Sequence, residues 1–193
     1  MADLKFFYGT MNSGKSGRII DTAYSLTASG KKVDVIKPAF DNRDSDNSVV
    51  SRSRKEPWPA QVHKWLATYK PSKGVQFILV DEVQFFKPED IRILANIANT
   101  TTIHVMCYGL LLDSDAQIFP ASRELIASGA ELEEMRTVCQ TDGCVNHATH
   151  HLRYDAKGRI VRNDVQCQVG DSAYKSVCRV CFDRLYYQRK KQK

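Results

Sequence analysis

Apolar residues gather along this chain in short dense runs separated by longer amphipathic stretches. The run "LKFFY", residues 4–8, stops at Gly9 and suits a buried strand that delivers a tight turn. From Lys15 to about Ser29 no proline intervenes, and Gly30 supplies a helix stop, so a helix is expected there. "KKVDVIKP" reads as a second strand closed by Pro38. "VQFILVDE", residues 75–82, and "TTIHVMCYG", residues 101–109, have the texture of the first run. Between them, Pro88 suits a first helical turn, Glu89 and Asp90 favour the positive end of the helix dipole, and Ile91, Leu94 and Ile97 recur at helical spacing. "PASRELIAS" predicts a further helix over 120–128, ended by Gly129.

Strands alternating with helices predict an α/β fold built on a mostly parallel sheet, with helices on both faces. Residues 39–59 are polar, charged and aperiodic, which predicts a long loop of functional or disordered character. After about Thr137 the texture shifts to cysteine, histidine and a "YDAKGR" hairpin signal, which divides the chain into a main domain over 1–137 and a small lobe over 138–193. A length of 193 residues fits one sizeable core with a small appendage.

The net charge of +6 changes little in this picture. With the tail residues Arg189, Lys190, Lys191 and Lys193 set aside, 24 of the 28 basic residues remain against 22 acidic ones. A solvated terminus accounts for that tail, and nucleic acid is not expected as a partner. No apolar run approaches the roughly 20 residues of a membrane span, and "MADLKFF" makes no signal peptide, so a cytoplasmic location is expected.

The chemistry begins at "GTMNSGKS". Gly9, Thr10, Met11, Asn12, Ser13, Gly14, Lys15 and Ser16 satisfy G-x-x-x-x-G-K-[ST] between a strand and a helix, the setting of a P-loop. Backbone N–H groups and the helix N-terminus there cradle phosphate, Lys15 reaches the terminal phosphates and the Ser16 hydroxyl reaches Mg²⁺. A nucleoside triphosphate such as ATP also needs a carboxylate for its metal, and Asp81 ends the apolar run "FILV" in the manner of a Walker-B strand. Glu82, next in the chain, is left free to take a proton from water or a substrate hydroxyl.

The cysteines add a metal centre. Cys139 and Cys144 enclose four residues, and Cys178 and Cys181 enclose two, with thirty-three between the pairs. Two such pairs joined by a hairpin offer four thiolates to a structural Zn²⁺. His147, His150 or His151 could replace a cysteine in that set. Cys107 reads as a small buried apolar residue. Cys167 receives no role, and His63 and His104 read as structural histidines.

The P-loop turn, the "DEVQFF" strand end, the "CYGL" strand followed by a loop, and "YKSVCRVC" occur in one order over the whole chain. Together they resemble the type II thymidine kinases, a zinc-bearing family. The resemblance implies transfer of the ATP γ-phosphoryl group to the 5′-hydroxyl of thymidine or a related deoxynucleoside, with Mg²⁺, in a P-loop NTPase-like fold with a zinc-ribbon-like lobe. It implies Glu82 as general base, with Lys15 and Arg52 supplying positive charge. It carries nucleoside contacts onto Met11, Gln84, Phe85, Leu110, Phe119 and Tyr174, with the Gln168, Val169 and Gly170 backbone reading the pyrimidine edge. The segment from Gly109 to about Pro120 resembles the family's lasso, which closes on the nucleoside, and the family's homotetramer is implied for the assembly. Ser114 and Asp115 depart from the aromatic and basic residues usual in the lasso, and Gly170 stands alone where the family has two glycines. The alternative from another class is a P-loop ATPase whose zinc lobe and basic tail bind nucleic acid.

Overall fold

A computed structural model of the chain describes residues 2–39, 47–51, 56–162 and 173–187. Arg52, Cys167, Gln168, Val169, Gly170 and the basic tail lie outside the described residues. The sheet is parallel throughout, in the order β5-β2-β6-β7-β1-β8. These strands are β1 (Leu4–Gly9), β2 (Val33–Pro38), β5 (Gln61–His63), β6 (Phe77–Val80), β7 (His104–Gly109) and β8 (Glu131–Met135). The helices α1 (Lys15–Ala28), α2 (Pro88–Thr100) and α3 (Pro120–Ala127) connect them.

Why the central runs are apolar without alternation is plain from where consecutive side chains go. Successive residues of a strand face opposite sides of a sheet, and here both sides are covered. Phe6, Ile36, Ile78 and Cys107 pack with Ile91 and Leu94 of α2 and Leu125 of α3. Their chain neighbours Phe7, Val35, Leu79 and Tyr108 pack with Ile19, Ile20 and Ala23 of α1. Phe7 stacks on Tyr108 with ring centroids 4.6 Å apart. Cys107 is fully buried, and that burial pushes its thiol far above the usual range, as suits a small core residue.

Two strands of this six-stranded sheet escaped the sequence reading, and they are its two edges. β5 has three residues. β8, "ELEEM", carries three glutamates; Lys5 meets Glu131 at 2.9 Å and Arg18 meets Glu133 at 2.8 Å. Charged side chains on an exposed edge blunt edge-to-edge pairing, so the same residues that protect the strand erase its apolar signature. The expected long loop over 39–59 also holds structure, because β3 (Ser48–Val49) and β4 (Trp58–Pro59) pair antiparallel within its described part.

The cysteine-rich segment has its own small core. β9 (His150–Tyr154) and β10 (Ala173–Val177) pair antiparallel and α4 (Arg179–Tyr187) packs beside them. Leu152, Val177, Phe182 and Tyr186 are buried there with Cys139, Cys178 and Cys181. The "YDAKGR" signal is a turn, with the Asp155 N–H donating to the Arg159 carbonyl at 2.9 Å. No helix among the described residues is long and apolar enough to cross a membrane.

Candidate functional site

The turn after β1 is shaped by two residues in the left-handed region, Asn12 at φ 62° and Gly14 at φ 84°. That region suits Gly and is tolerated by Asn. Gly14 caps α1, so the first-turn N–H groups of the helix, which have no intrahelical partner, face the cleft. Lys15 is almost fully buried, and its Nζ donates to the Thr10 carbonyl at 2.7 Å and to Ser13 Oγ at 3.3 Å. Burial lowers its pKa, opposed by the nearby charges of Glu82 and Asp81.

The carboxylates arrive from β6. That strand is not adjacent to β1, because β7 lies between them. The Asp81 N–H still donates to the Ile36 carbonyl at 2.9 Å, which extends the sheet ladder one residue past β6 and fixes Asp81 at its carboxyl end. Burial first, and then the Glu82 charge, push the Asp81 carboxyl up to about 7; its Oδ1 accepts the Glu82 N–H at 3.0 Å. Glu82 itself is left-handed, at φ 49°. A left-handed residue redirects the chain at once, and a single tight turn of helix, Val83–Phe85, follows. Asp81 therefore points into the protein while Glu82 borders the cleft.

That cleft encloses about 530 Å³ and is lined by Met11 to Gly17, Val50, Ser51, Glu82 and Gln140. It joins every P-loop position from Met11 onward to Glu82, whereas Gly9 and Thr10 border a second cavity. Of the described residues expected against a base, Met11 lines this cleft and the others do not. Phe85 meets Phe119 edge to face, with centroids 5.9 Å apart, and Leu110 is buried. Tyr174 lies on β10 against His151. His151, with Tyr8, Gly9, Thr10, Leu111 and Glu134, borders the second cavity of about 230 Å³. Burial drives the His151 pKa down to about 3, with the Lys15 charge adding to the effect, so the ring is neutral at physiological pH.

Sequence reasoning did not single out Gln140 and Ser176. Ser176 Oγ donates to the Met11 carbonyl at 2.6 Å, and its N–H donates to Gln140 Oε1 at 2.7 Å. The cysteine-rich lobe is thereby fastened to the phosphate-binding turn. The signal available was proximity: Gln140 follows Cys139, and Ser176 precedes Cys178 by two residues.

The lasso-like segment is ordered by its own polar groups. Leu112 bridges Ile118, and Asp113 Oδ1 accepts the N–H groups of Asp115 and Gln117 at 2.9 and 2.8 Å. Asp115, one of the two departures from the expected pattern, accepts the Tyr186 hydroxyl at 2.5 Å. The side chain at this position thus ties the segment to α4.

The Sγ atoms of Cys139, Cys144, Cys178 and Cys181 lie within 4.8 Å of one another. Cys144 and Cys178 are 3.8 Å apart, near the sulfur separation that a tetrahedron with about 2.3 Å metal–sulfur bonds requires. The Cys181 N–H donates to Cys178 Sγ at 3.5 Å and helps hold that thiol below its usual range. The donor set fits zinc. The histidines weighed as substitutes stand elsewhere: His147 is exposed, His150 packs at a tilt against Phe182 with centroids 4.7 Å apart, and His151 faces Tyr174.

Comparison with known proteins agrees in extent with this arrangement. The family model described as thymidine kinase matches residues 2–182. A thymidine kinase of Agrobacterium fabrum is 36% identical over 93% of this chain and 95% of its own length. Those of Pasteurella multocida and Enterobacteria phage T4 are each 34% identical, over 98% and 96% of this chain and 98% and 97% of their own lengths.

Proposed function

Because the chain belongs to the thymidine kinase family, we propose that the cleft bordered by Met11 to Gly17 and Glu82 is where an ATP γ-phosphoryl group passes to the 5′-hydroxyl of thymidine. As a thymidine kinase it is an ATP-dependent transferase. The observation that carries the assignment of roles is the meeting of Lys15, Asp81 and Glu82, drawn from two elements, at one end of the sheet. The ATPase that grips nucleic acid is not favoured, since the likeness to thymidine kinases runs nearly the whole chain.

In this reading the α1 N-terminus and the backbone of residues 11–16 hold the phosphates. Lys15 exchanges its Thr10 carbonyl for phosphate oxygen, a stronger partner for an ammonium group. The Asp81 carboxylate, buried at the end of β6 behind Glu82 and facing the charges of Lys15 and Lys37, suits a divalent cation, and Ser16 lines the cleft that Glu82 borders. Those two residues would hold Mg²⁺, whose contribution is to neutralise charge on the phosphates. Glu82 receives the 5′-hydroxyl proton as the oxygen attacks, and the γ-phosphoryl leaves ADP. Arg52 is proposed to add positive charge. Met11, Phe85, Leu110, Phe119 and Tyr174 are proposed to supply the apolar contacts that suit a methylated pyrimidine, and the backbone of residues 168–170 is proposed to read its edge.

The four cysteines are proposed to bind Zn²⁺ as a structural ion, in a lobe that begins near residue 138 and operates in the cytoplasm. A homotetramer is proposed on the same family grounds, and sedimentation at micromolar concentration is expected to give four chains per particle; a monomer alone would remove it.

The direct test measures phosphoryl transfer from ATP to a panel of nucleosides alongside hydrolysis with and without DNA. Thymidine monophosphate is expected as the main product, with hydrolysis indifferent to DNA. DNA-stimulated hydrolysis with no nucleotide product would overturn the reading.

A further inference from the structure

One buried carboxamide joins the proposed base to the root of the lasso. Gln84 lies in the helical turn just after Glu82 and is only 3% exposed. Its Nε2 donates to Glu82 Oε2 at 2.6 Å, and its Oε1 accepts the Leu110 N–H at 3.0 Å. The partners fix which way the amide faces. A carboxylate only accepts and a peptide N–H only donates, so a flipped amide would set acceptor against acceptor and donor against donor.

The chain around residue 110 is built to allow this approach. At Gly109 an added Cβ would meet the Gln84 amide oxygen and would stand 2.8 Å from Val83 Cγ1. Only glycine lets β7 pass this close. One residue on, the Leu110 carbonyl accepts Ser122 Oγ at 2.6 Å. Leu110, near the start of the lasso, is therefore held by Gln84 through its N–H and by α3 through its carbonyl.

Glu82 gains most from the arrangement. Its left-handed backbone lies outside any regular element, so its side-chain direction has to be set by a partner. We propose that Gln84 is a positioning residue: it aims the Glu82 carboxylate at the nucleoside hydroxyl and couples that aim to the seating of the lasso at Leu110. This rests on the reading of Glu82 as the base. It differs from a direct nucleoside contact, for which a 3% exposed amide with both ends engaged is poorly placed.

The test is a double-mutant cycle on the full-length protein. Gln84→Met removes both hydrogen bonds at nearly constant volume. Gln84→Glu keeps an acceptor for Leu110 but sets a carboxylate against Glu82. Misorienting a reacting group costs on the order of 10²-fold, so each variant is expected to lower kcat about 10- to 100-fold with thymidine KM changed by less than about 3-fold. In a Glu82→Gln background the same changes should cost less than about 2-fold, because the group they aim is already gone. Hydrogen exchange at the Leu110 amide should quicken in Gln84→Met and stay slow in Gln84→Glu.

A raised KM with unchanged kcat, or losses that multiply fully with Glu82→Gln, would overturn the positioning role while leaving Glu82 as base. Full turnover by Glu82→Gln alone would remove both. Should Gln84→Met fail to fold, the isosteric Gln84→Glu carries the same cycle.

Discussion

Glu82→Gln is expected to bind ATP within about 2-fold of the parent and to lose roughly 10²- to 10⁴-fold in kcat, the range for removing a positioned general base. The exchange preserves shape and leaves the phosphate-binding turn untouched. Lys15 donates its hydrogen bonds to Thr10 and Ser13, not to Glu82, so nucleotide affinity should survive. What disappears is the capacity to accept a proton beside the attacking oxygen. The measurement pairs equilibrium binding of a fluorescent ATP analogue with single-turnover formation of thymidine monophosphate. A variant that binds ATP normally and turns over at the parental rate would remove Glu82 from the mechanism and leave positioning and charge as its whole content.

The parts of this site that could be read in the sequence are those where chemistry is local. The phosphate-binding turn needs Gly14 for its left-handed cap and Lys15 and Ser16 at adjoining positions, and such constraints appear as contiguous letters. The sheet centre was legible for a similar reason, since burial on both faces makes the middles of β1, β6 and β7 apolar without alternation. Edges were not. β8 is held by backbone pairing to β1 and by ion pairs from Lys5 and Arg18, and "ELEEM" carries no trace of partners over a hundred residues away. The same holds for Gln84 and Ser176. Gln84 was expected at the nucleoside by resemblance, but its hydrogen bond from Leu110 depends on where β7 passes. Ser176 matters only because β10 is laid across Met11.

The second large effect concerns metal, and it reaches the phosphate cleft through that contact. Zinc analysis of the purified protein is expected to give about one ion per chain for the four-thiolate set. Binding free energy at such sites is folding free energy, and the lobe has little else: its core is a few residues around Leu152, Val177 and Phe182. Removing the metal with a chelator, or substituting Cys178→Ser, should therefore unfold the lobe while the sheet and its two flanking cores persist. Near-ultraviolet dichroism from the stacked Phe182 and Tyr186 rings, 4.8 Å apart, should vanish with far-ultraviolet helix signal largely kept. Turnover should fall at least about 10²-fold, a loss of the size that a misplaced reacting group produces. Three anchors would go together: Ser176 on the Met11 carbonyl, Gln140 at the cleft wall and Tyr186 on Asp115 of the lasso. Returning zinc to the chelated protein should restore both signals. A zinc-free sample that is folded and fully active would show instead that hydrogen bonds alone hold the lobe on the phosphate-binding turn.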